Sequence, residues 1–221
     1  MNGWQTYNSY NQGLSIGNSN YYRPNENIQL VANFYYGKDT RSSDRIRFHH
    51  DNSVVARYYK NASSKGISQA AFSLNMHYGF QSGDGVSANQ QYMTGFSLAN
   101  RLWFNQNKLA LTLRADAVTN PGLYLAATPS PVMPNAFTEA MANDPKQQLN
   151  IFQSTATFDI MPSDHVTFRF EYGFRQSNVP YFAGPGGTTS PDGWSTTPAL
   201  GWQPDLKKTE NRIIFSMNFR L

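Results

Sequence analysis

The histidines of this chain are the first residues to consider as metal ligands, and two of them, His49 and His50, are adjacent. An adjacent pair makes a metal site only if both imidazoles reach one ion. The flanking residues alternate between apolar and polar types, which predicts a strand, and neighbours along a strand point to opposite faces. We therefore expect no metal site from this pair.

His77 is a second candidate, because Ser73 and Asn75 lie on the same side of a predicted strand, as the nucleophile and base of a barrel hydrolase would. A nucleophile has to lie within hydrogen-bond reach of its base. Positions 73 and 77 are two pleats apart, about 13 Å along a strand. We expect no catalytic site, and the glycine-rich run at 184–187 lacks the Gly-Lys-Ser/Thr sequel of a phosphate loop, so we expect no cofactor.

Charged side chains form the largest set of candidates, and they alternate with the apolar residues of the predicted strands. An excess of arginine over acids in a water-filled pore favours anions. The alternative is that pairs such as Arg114 with Asp116 and Arg169 with Glu171 are salt bridges that stiffen the wall. The candidate pore-lining residues are Arg47, Arg57, Arg114, Asp116, Asp159, Arg169, Glu171 and Arg175, and Arg45, Arg101, Arg220 and Asp51 lie on the same side.

Nine stretches of period-two alternation supply the elements that would position these groups, and no helix is predicted. The stretch 166–175, VTFRFEYGFR, has an oily face and a charged face. Short connections follow the first, third, fifth and seventh stretches, among them Asn105-Gln106-Asn107. The other connections include the long segments 118–147 and 178–207. This regular alternation of short and long connections is typical of an antiparallel up-and-down meander with its loops at two ends.

The pattern and the composition favour a membrane wall. Charged residues make up 14% of the chain and aromatic residues another 14%, and the mean hydropathy of −0.56 reflects apolar residues at only every second position. Strands of about ten residues cross a bilayer when tilted. We predict an all-β fold, an antiparallel transmembrane β-barrel with about nine strands here, and tyrosines in two belts at the membrane interfaces. Cysteine is absent, and the net charge of +4 is too scattered for a nucleic-acid surface.

Five segments carry a family resemblance: NGWQTYN at the start, SSKGISQAAFSL at 63–74, NRLWF at 100–104, NPGLYL at 120–125 and VPYFAGPGGTTSPDGW at 179–194. The chain resembles the C-terminal half of the β-barrel porins of Bacteroidota. The resemblance implies a location in the outer membrane of a Gram-negative bacterium more than it implies an activity. Our leading hypothesis is a barrel that contacts the membrane lipid and passes small hydrophilic solutes passively through a polar lumen.

We expect one outer-membrane β-barrel domain over residues 1–221, incomplete at its N-terminus, because the strand number is odd and the first strand would begin on the outer side. Two alternatives stay open. One is a non-conducting barrel whose extracellular loops bind a ligand or partner. The other is a soluble β-sandwich binding module, whose strands would be shorter and whose two sheets would bury facing apolar layers.

Overall fold

The main element of the structure is one antiparallel sheet of nine strands, in which every strand pairs with its neighbour in sequence. The computed structural model describes residues 13–38, 44–125, 148–191, 193 and 201–220. The nine strands are β1 (Ser15–Asn25), β2 (Ile28–Gly37), β3 (Ile46–Lys60), β4 (Ile67–Ser82), β5 (Tyr92–Phe104), β6 (Leu109–Thr119), β7 (Asn150–Ser163), β8 (Val166–Ser177) and β11 (Thr209–Phe219). Two short strands, β9 (Phe182–Ala183) and β10 (Leu206–Lys207), pair with each other in the last long connection. The predicted all-β meander is confirmed.

The sheet has an apolar face and a polar face. The register places apolar residues opposite apolar residues on the neighbouring strand, and polar residues opposite polar ones. Phe170 on β8 lies opposite Phe158 on β7 and Phe215 on β11, so three aromatic side chains stand in one row. The rings of Phe170 and Phe215 are 5.1 Å apart. Asp159 and Arg169 face each other on the opposite side. A one-residue slip would exchange the faces of a whole strand, so this register is strongly specified.

Large side chains on the apolar face are exposed rather than packed into a core. A sheet that faced water on this side would place polar residues there. Tyrosines lie near both ends of the strands, as the predicted belts require. Exposed residues of this face include Tyr22, Leu30, Phe34, Tyr36, Tyr58, Met76, Tyr78, Phe96, Leu98, Leu113, Phe158, Phe170, Tyr172, Ile213, Phe215 and Met217.

Connections at one end of the sheet are short and those at the other end are long. The short ones are residues 26–27, 61–66, 105–108 and 164–165, and the long ones are 38–45, 83–91, 120–149 and 178–208. Asn105, Gln106 and Asn107 all have positive φ, with values of 49°, 58° and 67°. Asparagine tolerates this left-handed region better than most residues do, which explains why the predicted turn forms there.

The alternation of apolar and polar residues predicts turns at 24–27 and 161–165, but the strands before both turns are longer. Pro24 and Asn25 belong to β1, where the register shifts between Tyr22 and Asn25. Proline lacks an N–H donor and is tolerated at such an irregularity on an edge strand. Likewise, β7 continues to Ser163 through a register shift after Ile160. A further difference is a short 3-10 helix at Pro121–Leu123.

A β-sandwich is excluded for the described residues, because their second sheet consists only of the two-residue strands β9 and β10. The hydrophobic cluster around Leu149, with Leu123, Ile151, Val179 and Tyr181 against it, lies at the end of the long connections. None of the helices in the described residues is long and apolar enough to cross a membrane. The outer edges of β1 and β11 pair with no other strand in the described part of the chain, so the sheet is open there.

The two faces predict different responses to a buried charge. The predicted membrane wall has lipid chains against the apolar face. On that prediction, replacing Leu98 with arginine (Leu98→Arg) places a cation among lipid chains, and we expect a loss of about 2 to 4 kcal/mol in the free energy of unfolding. The matched control is Ser97→Arg, one residue away on the polar face and opposite Asp116. Urea unfolding of the protein in lipid vesicles, followed by tryptophan fluorescence, measures both. Equal losses in the two variants would contradict the assignment of the faces.

Candidate functional site

The eight predicted pore-lining residues all lie on the polar face, where neighbouring strands bring their side chains together. One row of the register runs from Glu171 through Thr157, Thr112 and Arg101 to Ala71 and Arg57. Another row joins Arg175, Gln153 and Asp116. The polar face is therefore a continuous surface of charged, amide and hydroxyl groups, and it is the candidate functional site.

Asp159 lies at the centre of the most buried ion cluster on this face. Its carboxylate is fully buried and is held by two guanidinium groups. Arg169 on β8 donates from Nε to Oδ1 at 2.7 Å and from Nη2 to Oδ2 at 3.1 Å. Arg101 on β5 reaches Oδ2 at 2.6 Å across β6, where the fully buried methyl group of Ala110 leaves room for the contact.

This cluster corrects the predicted pairing of Arg169 with Glu171. These two residues are two positions apart on one strand, whereas Asp159 is directly opposite Arg169 on β7. Glu171 instead accepts a hydrogen bond from the Thr157 hydroxyl at 2.8 Å. Residues directly opposite each other on neighbouring strands have Cβ atoms about 4.5 to 5.5 Å apart, so the Asp159 carboxylate is within easy reach of Arg169.

Other predicted charges are also paired. Arg114 contacts Asp116 at 3.0 Å, as expected from the sequence, in a pair that is partly exposed. Arg57 contacts Glu26 at 3.0 Å in the short turn between β1 and β2. The salt-bridge interpretation of these residues is thus supported by their geometry. The ion pairs differ in how much they contribute to the free energy of unfolding, since exposed pairs contribute little.

Two charges of the polar face were missed by the sequence analysis. Glu210 and Arg212 lie on β11, and Glu210 forms an ion pair with Arg175. The sequence contained the information to find them. Ile213 belongs to the apolar face, so continuing the alternation back to Thr209 would have placed residues 210 and 212 on the polar face. Within the described part of the chain, Arg212 forms no ion pair, so it contributes a positive charge that no acid offsets.

The segment after β6 folds back over the polar face, and we call residues 120–125 the tucked segment. Tyr124 is only 2% exposed, and its hydroxyl donates to the Phe48 carbonyl oxygen on β3 at 3.0 Å. The Arg47 guanidinium lies 4.5 Å from the centre of the Tyr124 ring and donates to the Tyr124 carbonyl oxygen at 3.1 Å. Gly79 on β4 leaves the space that the tyrosine ring occupies, because a Cβ there would collide with it.

The side chain of Asn120 joins the two ends of the tucked segment by hydrogen bonds. The buried Asn120 side chain donates to the Leu125 carbonyl oxygen and accepts from the Leu125 N–H, each at 2.9 Å. Gln91, from the connection before β5, donates to the Gly122 carbonyl oxygen at 2.7 Å. These bonds hold the segment across the long-connection end of β5, β4 and β3, where it narrows access to the polar face.

The last long connection is held by a second set of contacts at the same end. Asp205 contacts Lys207 at 2.7 Å and accepts from the Gly186 N–H at 2.9 Å, and both interactions hold the pKa of its carboxyl below the usual range. Burial raises the pKa of the Tyr181 hydroxyl. Trp194, in the same connection, lies outside the described residues.

At the other end, Glu26 is the exposed anchor of the short turn. The hydrogen bond from Arg57 and the charge of Lys60 lower the pKa of its carboxyl. A lowered pKa in the folded state means that the contribution to stability is present above the ordinary pKa of glutamate. It is lost as the pH falls through the folded-state value.

The histidines lie as the strand geometry requires, with His49 on the polar face and His50 on the apolar face. His77 does not lie beside Ser73, which is opposite Val55 and Ala99. It lies beside His49 and Asp51 instead. Ligand atoms of these three residues are all within 4.8 Å of one another, which is close enough for the group to hold a metal ion.

A family model described as "Putative beta-barrel porin-2, OmpL-like" matches residues 1–204. No curated protein and no solved structure matches the chain.

The buried and exposed ion pairs predict different costs of losing a carboxylate. Asp159→Asn leaves Arg101 and Arg169 without their shared counter-charge, and we expect a loss of about 3 kcal/mol in the free energy of unfolding. The matched control is Asp116→Asn, for which we expect less than about 1 kcal/mol because its pair is partly exposed. Urea titration measures both, and Trp103 reports locally because Arg101 lies 4.9 Å from its ring. A smaller loss for Asp159→Asn than for Asp116→Asn would contradict the proposed role of the cluster.

Proposed function

The chain belongs to this family of OmpL-like β-barrel porins, and we propose that it forms part of an outer-membrane pore through which small hydrophilic solutes diffuse passively. In this proposal the apolar face contacts lipid in a Gram-negative outer membrane and the polar face lines a water-filled lumen. No chemical step and no cofactor are involved. The sequence segments that resemble porins of Bacteroidota favour a source in that group.

The observation that carries the proposal is the separation of the two faces over strands of 10 to 16 residues. Exposed aliphatic and aromatic side chains on one face suit hydrocarbon, in which an unpaired polar group is costly. Paired charges, amides and hydroxyl groups on the other face suit water and dissolved solutes. The long connections would be extracellular and the short turns periplasmic, as in outer-membrane barrels generally.

We further propose a preference for anions. Among strand residues with a register partner, seven arginines, Lys60 and five acids lie on the polar face, and the fully buried Asp159 offsets two of the arginines. The acids are Asp51, Asp116, Asp159, Glu171 and Glu210, and the arginines are Arg47, Arg57, Arg101, Arg114, Arg169, Arg175 and Arg212. Arg212 is the best-placed contributor, because no acid pairs with it in the described part of the chain.

The tucked segment favours a second candidate function. Because residues 120–125 are anchored over the polar face by Tyr124, Asn120 and Gln91, they would reduce the open area of a lumen. A barrel closed in this way would bind a ligand or partner through its extracellular loops rather than conduct. The measured conductance decides between the two functions.

Single-channel recording in planar bilayers tests the pore. We expect stable ohmic current steps from the protein. In a KCl gradient, we expect a reversal potential that is displaced from zero toward the equilibrium potential of chloride. Absence of steps from protein that is shown to be folded would contradict the pore and support the loop-binding alternative. The measurement is best made near 0.1 M salt, where charges act over about 10 Å.

The anion preference has its own variant. Arg212→Gln removes a positive charge from the polar face, and we expect the reversal potential to shift toward zero. Lys65→Gln removes the same charge from an exposed turn at 61–66 and is the control. Equal shifts in both variants, or none in Arg212→Gln, would contradict the assignment of selectivity to the polar face.

A further inference from the structure

We propose that His49, Asp51 and His77 form a binding site for a divalent transition-metal ion of the Zn²⁺ type. The three residues come from two adjacent strands. Asp51 is directly opposite His77, and His49 is one pleat further along β3, opposite Gly79. All three therefore point from the polar face into one space. Their ligand atoms are all within 4.8 Å of one another.

The spacing of the two imidazoles fits a common ion. Nε2 of His49 and Nδ1 of His77 are 3.4 Å apart. Two ligands of a tetrahedral ion with bonds of about 2.0 to 2.1 Å are separated by about 3.3 to 3.4 Å. The other separations within the cluster need to shrink by about 1.4 Å at most, which rotation of the Asp51 side chain can supply. The two nitrogens are thus already at the distance that a bound ion requires.

The tucked segment fixes the tautomer of His49. The hydroxyl group of Tyr124 has one proton, and it donates that proton to the Phe48 carbonyl oxygen. The same hydroxyl group lies 3.0 Å from Nδ1 of His49, so it accepts a hydrogen bond from Nδ1–H there. A neutral imidazole with its proton on Nδ1 has its lone pair on Nε2, the nitrogen that lies toward His77. Outer hydrogen bonds of this kind orient the histidine ligands of metal sites.

Asp51 is oriented in a similar way. The Asn33 side chain on β2 donates to Oδ1 of Asp51 at 2.7 Å. His49 is 4% exposed, and its ring stacks on Tyr124 at 5.9 Å between ring centres. The site therefore has two imidazole nitrogens, one carboxylate oxygen and an outer layer that orients two of the three ligands.

The ligand set indicates which ions fit. Imidazole nitrogen suits Zn²⁺, Cu²⁺, Ni²⁺ and Co²⁺, whereas Mg²⁺ and Ca²⁺ prefer sites made of oxygen atoms. Arg47 lies nearby on the same face and opposes any cation, but its guanidinium is held on the Tyr124 ring. The Asp51 carboxylate offsets that charge in part. We infer a site for one Zn²⁺-type ion, completed by water.

Binding of the ion would also act on the tucked segment. Because Tyr124 receives the Nδ1–H of His49, an ion on Nε2 strengthens that hydrogen bond and holds residues 120–125 against β3 and β4. Bound metal is then expected to stabilise the narrowed form of the mouth. This effect on conductance rests on the proposed pore, whereas metal binding itself does not.

Isothermal titration of the detergent-solubilised protein with ZnCl₂ tests the binding. We expect one ion per chain, and an affinity reduced by about tenfold or more in His77→Gln and in Asp51→Asn. Four histidines are present in the chain, and the two outside the cluster supply the control. The double variant His50→Ala/His165→Ala is expected to bind as the unaltered protein does. Absence of binding by the unaltered protein, or equal binding by His77→Gln, would overturn the proposal.

Two further measurements separate a ligand from a merely structural role. X-ray absorption at the zinc edge is expected to show two imidazole ligands in the unaltered protein and one in folded His77→Gln. Tyr124→Phe keeps the ring but removes the acceptor of the His49 Nδ1–H, and we expect it to weaken Zn²⁺ binding by about tenfold. An unchanged affinity in Tyr124→Phe would contradict the positioning role of Tyr124.

Conductance is recorded separately, with and without ZnCl₂. A reduction by Zn²⁺ that is absent in His77→Gln supports the link to the tucked segment. Zn²⁺ binding without any change in conductance would overturn that link and leave the site itself intact. If the protein conducts no ions at all, the proposed pore fails, while the titration still decides the metal site.

Discussion

The structure depends on the requirement that backbone N–H and C=O groups find hydrogen-bond partners. Within the described residues, the antiparallel meander meets this requirement by pairing each strand with the next, except at the outer edges of β1 and β11. The pairing fixes the register, and the register assigns every side chain to one of two faces. The separation of aromatic residues from charges, the rows of arginine and acid, and the meeting of His49 with His77 all follow from this pairing.

Burial on the polar face comes from contacts between polar groups rather than from an apolar core. Asp159 is fully buried because two arginines and the small Ala110 surround it. In the tucked segment, the buried Tyr124 ring lies under the Arg47 guanidinium group. Interactions of this kind are strong only where water is excluded, so the same residue types on the exposed part of the face contribute less.

The sequence was sufficient to predict what depends on alternation along a strand. The nine strands, the two faces, the short turn at Asn105 and the side taken by each pore-lining candidate are in this class. Contacts that depend on the partner strand were not predictable, because the residues of one strand do not determine which residues lie opposite them. Arg169 is therefore paired with Asp159 and not with Glu171, and His49 meets His77 although they are far apart in the chain. The tucked segment has no periodicity, so nothing in its sequence indicated where Tyr124 lies.

The Asp159 cluster also bears on how the sheet assembles. Its carboxylate belongs to the β7–β8 hairpin, whereas Arg101 belongs to the β5–β6 hairpin. A slip of two residues between the hairpins would keep every apolar side chain on its own face, so the oily pattern alone cannot reject it. The same slip would separate the carboxylate from Arg101 by one pleat. The ion cluster thus favours the native alignment of the two hairpins over a shifted alignment that keeps the same two faces.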